Sequence, residues 1–150
     1  TMFADADQFL FMGRGANYPA ALEGALKLKE ISYIPAEGFP AGELKHGPLA
    51  LIYDGIPVVA IATKDPVYNK TLGTIEEVKA RGATVIGIAN ESDTEIAKYV
   101  DYVLRIPDTD PWIAPILSSV VLQLFAYYVA HHRGCEIDKP RNLAKSVTVE

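Results

Sequence analysis

The sequence predicts an α/β fold: a three-layer, doubly wound parallel sheet followed by a C-terminal tail. Two observations predict it. Runs of five or six mostly apolar residues recur along the chain, and unbroken runs of that length mark strands buried on both faces, as in a parallel sheet. Stretches of helical composition separate them, so strand and helix alternate as crossover units do. A flavodoxin-like strand order is the natural topology for that alternation. Residues 1–133 form the domain in this reading, and residues 134–150 the tail.

Residues 8–12 are the first strand, stopped by the turn Gly13-Arg14-Gly15. Asn17 offers an N-cap to a helix running from about residue 18 to 34. Residues 35–47 are expected to be a loop, because Pro35, Gly38, Pro40, Gly42 and Gly47 punctuate them. Pro48 suits the first position of a short helix. Residues 57–62 are the second strand. Residues 68–81 form an amphipathic helix, with Gly82 as its C-terminal cap. The third strand is 84–89, a short helix covers 94–99, and the fourth strand is 102–106. A long helix spans 112–132, and the tail has no clear period.

A chain of 150 residues fits one domain with one core. Its hydrophobic fraction of 49% and charged fraction of 22% are those of a soluble globular protein. The net charge of -5 excludes a global basic field for nucleic acid or an anionic membrane, though not a local pocket for one anion. Cys135 is the lone cysteine. It allows no internal disulfide and suits a reducing cytoplasm. No signal-peptide pattern opens the chain. The stretch 113–130 is mostly apolar but is interrupted by Pro115, Ser118, Ser119 and Gln123. A membrane span needs about 20 mainly apolar residues, so a buried or subunit-interface helix is expected. Apolar residues all round that helix point to an oligomer.

Chemistry is concentrated in a few places. At 100° per residue, Glu23, Lys27 and Glu30 fall on one narrow stripe of the first helix, while most of its other positions look buried. The stripe reads either as a solvated face with two helix ion pairs or as an active-site wall. In the second case, Lys27 holds one carboxylate ionised while the other moves a proton. His46 lies in a glycine-rich stretch just before a helix start. It is either a loop histidine without a task or an acid–base group. His131, His132 and Cys135 could catch a metal, but a role near helix-terminal carbonyls is the expectation, and no metal site is assigned. Gly13-Arg14-Gly15 is only a fragment of a dinucleotide fingerprint. Thr63-Lys64-Asp65-Pro66 is a poor phosphate cradle, and no Walker sequence or Ser/His/Asp set is present.

Three blocks then carry a resemblance: Ala20 through Ile31, which holds Glu23, Lys27 and Glu30; Ala41-Gly42-Glu43-Leu44-Lys45-His46-Gly47-Pro48; and Asp138 through Glu150, which holds Ala144 and Lys145. In order and spacing they resemble the glutamine–fructose-6-phosphate aminotransferase family. The general helix–strand pattern alone points only to the wider sugar-isomerase (SIS) fold. That family makes glucosamine 6-phosphate from fructose 6-phosphate and glutamine, using a glutaminase domain followed by two SIS subdomains. This chain resembles the second of those.

The resemblance implies that Glu30 shuttles a proton between sugar carbons 1 and 2. It implies that His46 assists ring opening from the neighbouring subunit, and that Lys145 meets the open-chain carbonyl as a Schiff base. Glu23 and Lys27 match charged positions lining the site, and Ala144, beside Lys145, is placed with the substrate-binding residues. The tail becomes a flap over the sugar. A homodimer is implied and no cofactor is. The family's phosphate-gripping Ser/Thr cluster belongs to the first SIS subdomain and its glutaminase nucleophile is an N-terminal cysteine, so this chain alone is expected to fold, to dimerise and to be nearly inactive. The competing readings are a non-catalytic phosphosugar sensor and a dimerisation scaffold.

Overall fold

The computed structural model describes residues 3–143. Its elements are β1 (Phe9–Gly13), α1 (Asn17–Ser32), β2 (Ala36–Pro40), β3 (Pro57–Ile61), α2 (Tyr68–Lys79), β4 (Thr84–Asn90), β5 (Tyr102–Ile106) and α3 (Ala114–His132). Short 3-10 turns at Ala41–His46, Pro48–Leu51 and Ile96–Lys98 join them. All strand pairs are parallel, in the order β2-β1-β3-β4-β5. That is the flavodoxin-like order the alternation predicts.

The sheet holds five strands, one more than the apolar runs indicate. Residues 35–47 are not a loop: β2 pairs with β1 along its length, Phe9 beside Ala36 and Gly13 beside Pro40. An edge strand is half-exposed and needs no apolar run, and proline is tolerated there because only one side of the strand is hydrogen-bonded. Two smaller expectations are also corrected. Asn17 is the first residue of α1 rather than its cap. Its buried side chain instead donates to Thr63 Oγ1 (2.9 Å) and Asp65 Oδ2 (3.4 Å), tying the start of α1 to the loop after β3. The helix expected over 94–99 shrinks to the turn Ile96–Lys98.

Alternate residues of the buried strands face opposite sides. Phe9, Phe11, Val59, Ile61, Ile86 and Ile88 meet Leu28 of α1 and Leu122 and Ala126 of α3. Leu10, Met12, Val58, Ala60 and Val85 meet Leu72, Ile75 and Val78 of α2. Two glycines permit close approaches around α1. A Cβ on Gly13 would overlap the Asn17 carbonyl, and one on Gly24 would lie 2.8 Å from Leu122 Cδ1. The first lets α1 begin directly over the end of β1, and the second seats α3 against α1.

By length and composition α3 could cross a membrane. It packs instead on α1 and the sheet through Ser118, Leu122, Ala126 and Val129. Its outer side leaves Ile116, Val120, Leu124 and Tyr127 exposed, at the spacing of one helical face. Leu22 and Leu26 of α1 are 42% and 40% exposed, so α1 is less buried than its composition suggests.

Candidate functional site

The stripe on α1 is a ladder of charge. Lys27 Nζ lies 2.7 Å from Glu30 Oε2 and 4.0 Å from Glu23 Oε1. The hydrogen bond from Lys27 to Glu30 raises the lysine pKa, burial opposes it, and the Coulomb attraction of Glu30 and then Glu23 adds to the rise. Lys27 is therefore held firmly cationic. Both ion pairs expected from the spacing are present, and the three side chains are only half-exposed.

Glu30 lies in the last turn of α1, beside a cleft of about 530 Å³. One wall is Leu26, Lys29, Glu30 and Tyr33; the other is Arg141, Asn142 and Leu143, from the tail. The tail reaches that position by a defined route. The Cys135 amide donates to the Ala130 carbonyl (3.0 Å), and Cys135 Sγ lies 3.8 Å from the Ser32 carbonyl. The Arg141 guanidinium then stacks 4.1 Å from the centre of the Tyr33 ring, and the Arg141 amide donates to Tyr33 Oη (3.0 Å). Neither Tyr33 nor Arg141 stands out in the sequence, because a cation over a ring across more than 100 residues has no periodic signature. Ala144 and Lys145 lie outside the described residues.

His46 is elsewhere. β1 runs up the sheet, α1 returns down it, and β2 runs up again, ending at Pro40 beside Gly13. His46 closes the turn that follows β2, at the carboxyl end of the sheet. Glu30, 13 residues into α1, lies about 20 Å along the helix from its start, at the sheet's amino end. The Phe9 amide donates to the Pro35 carbonyl just beyond (2.9 Å). One chain therefore keeps Glu30 and His46 apart. The His46 side chain is 73% exposed, with Nε2 4.0 Å from Glu43. The turn beneath it is anchored by buried Ala41 and Leu44, by Lys45 on Glu77 (2.8 Å), and by Arg14 packed under Gly42.

The carboxyl ends of β3 and β4, where doubly wound sheets commonly bind ligands, hold a set of polar groups that the sequence reading missed. Asp93, almost fully buried, accepts from Tyr68 Oη (2.6 Å) and from the amides of Glu95 and Ile96 (2.9 and 3.3 Å). Lys64 Nζ lies 3.4 Å from it and 3.7 Å over the Tyr68 ring. Arg105 donates to the carbonyls of Asn90 and Asp93. Burial disfavours the Asp93 carboxylate, but the Tyr68 hydroxyl, the two amides and Lys64 outweigh it and lower its pKa. Burial first, then Asp93, holds the Tyr68 hydroxyl well above the usual tyrosine range. Asp93 is thus turned inward and fully engaged, which marks a latch rather than a reaction centre.

A family model described as SIS domain matches residues 2–133. Over 148 residues the chain is 66% identical to glutamine–fructose-6-phosphate aminotransferase (isomerizing) of Methanosarcina acetivorans, a match covering 99% of this chain and 24% of that protein. The same enzyme of Thermus thermophilus is 57% identical over 148 residues, covering 99% of this chain and 24% of its own length. A solved structure of the C-terminal domain of glucosamine-fructose-6-phosphate aminotransferase from Francisella tularensis aligns with a TM-score of 0.84 at 42% identity, covering 91% of this chain and 39% of that one. The chain spans about a quarter of the length of these curated relatives.

Proposed function

Because the chain belongs to the SIS-domain family, we propose that it is the second SIS subdomain of an isomerising glutamine–fructose-6-phosphate aminotransferase. It works in the cytoplasm within a longer, homodimeric polypeptide that also carries a first SIS subdomain and a glutaminase domain. One observation carries this reading: Glu30, ion-paired to Lys27, stands at a cleft whose opposite wall is the start of the tail that bears Lys145.

The chemistry is proton transfer on an opened sugar. His46, arriving from the neighbouring copy, passes a proton to the ring oxygen as the C2–O bond breaks and the anomeric hydroxyl gives its proton to water, so that the cyclic ketose opens to the carbonyl form. The Lys145 amine condenses with the exposed carbonyl, releasing water, and makes the adjacent C–H more acidic. Ammonia from the glutaminase domain displaces the lysine. Glu30 then takes a proton from carbon 1 and returns it to carbon 2, converting the 2-imine of the ketose into the 2-amino aldose. Lys27 holds Glu30 in place by a 2.7 Å hydrogen bond and Glu23 balances Lys27. The phosphate is gripped by the first SIS subdomain. The exposed stripe Ile116, Val120, Leu124 and Tyr127 favours a scaffold role as well, and the two roles are compatible.

The test has two arms. This chain alone, given fructose 6-phosphate and ammonia, should yield no measurable glucosamine 6-phosphate. In the multidomain enzyme, Lys145→Ala should lower product formation by about a hundredfold or more. If the isolated chain turns over, the division of labour is wrong. If Lys145→Ala retains activity and isothermal calorimetry shows only glucosamine 6-phosphate binding, the domain is a sensor.

A further inference from the structure

Tyr33 caps α1 with a left-handed backbone, φ 63 and ψ 10. Helices commonly end this way, but the residue there is usually glycine, because a side chain in that region costs about 1 kcal/mol. Here a bulky aromatic residue occupies the position. Its backbone does the ordinary capping work, the amide donating to the Lys29 carbonyl at 3.2 Å. The side chain must therefore supply what glycine could not, and it is engaged at two points by one distant residue. The Arg141 guanidinium covers its face and the Arg141 amide bonds to its hydroxyl. The next two residues, Asn142 and Leu143, line the cleft with Glu30. Asn142 is also left-handed, with φ 62, so the chain turns sharply just after the clamp.

We propose that Tyr33 is a positioning residue: by clamping Arg141 it holds Arg141, Asn142 and Leu143 as the second wall of the Glu30 cleft, and so fixes the shape of the space in which the sugar reacts. This rests on the function proposed above. A cation over an aromatic face and an amide bond to its hydroxyl constrain both distance and orientation. A misplacement of about 1 Å at a reacting group can lower a rate about a hundredfold.

The test uses the multidomain enzyme. Tyr33→Gly relieves the backbone and removes the clamp. Its thermal midpoint should match or exceed that of the parent, while kcat for glucosamine 6-phosphate formation falls about tenfold to a hundredfold. Glutaminase activity should be unchanged. Arg141→Ala, at an exposed position, should reproduce the loss without touching α1. Arg141→Lys, which keeps a cation over the ring, should recover part of it, and Tyr33→Phe, which keeps the ring, should be milder than Tyr33→Gly. The idea is overturned if Tyr33→Gly and Arg141→Ala keep parental kcat while Lys145→Ala is inactive. If Lys145→Ala is itself active, the proposed function has failed instead.

Discussion

Removing the Asp93 carboxylate should be among the most destabilising polar changes in the chain. Asp93→Ala strands the Tyr68 hydroxyl, the buried Ile96 amide and the Lys64 ammonium that now face it. Breaking a buried charged set from one side costs about 3–5 kcal/mol, a large part of the 5–15 kcal/mol typical of a domain. Tyr68→Phe removes one charge-assisted hydrogen bond, about 1.5–3 kcal/mol. The double variant should fall short of the sum by a similar amount, because the second change finds the bond already gone. The pH dependence follows from the lowered Asp93 pKa. Its contribution is present above the unfolded value of about 3.9 and is lost as pH falls through the lower folded value. Urea denaturation of the parent and the three variants at neutral pH and at pH 3 measures all of this. An Asp93→Ala variant within about 1 kcal/mol of the parent, or strict additivity, would refute the latch.

Gly24→Val should cost about 1–3 kcal/mol by overpacking against Leu122 and Phe11, read as a lower thermal midpoint, and Leu122→Ala in the same chain should recover part of it. On the proposed function, Glu30→Gln in the multidomain enzyme should abolish transfer of deuterium from carbon 1 of labelled fructose 6-phosphate to carbon 2 of the product while leaving glutamine hydrolysis intact; mass spectrometry of the sugar and an assay of glutamate release report the two.

Strands buried on both faces were legible because burial demands apolar residues at every position, as in β3 and β4. β2 was not, because an edge strand with Gly38 and Pro40 carries no such demand. The Glu23–Lys27–Glu30 ladder could be read from helical spacing alone, since neighbours three and four apart must meet. The distance between Glu30 and His46 could not, because it depends on which way α1 and β2 run along the sheet. Asn17 has the residue type of a cap, but a long-range bond to Thr63 outcompeted the local one. The Tyr33–Arg141 clamp and the Asp93 latch join segments far apart in sequence, and such encounters leave no local pattern.

The placement of Glu30 and His46 at opposite ends of one sheet has a genetic consequence. In the proposed dimer each reaction centre draws these two groups from different copies. A copy lacking the carboxylate and a copy lacking the imidazole would each be inert alone. Combined, they would give one competent centre and one doubly defective centre per mixed pair. Random assortment makes half of the pairs mixed, so complementation should restore about a quarter of the parental rate, whereas placing both lesions on the same copy should leave parental partners able to rescue nothing in the mixed pair.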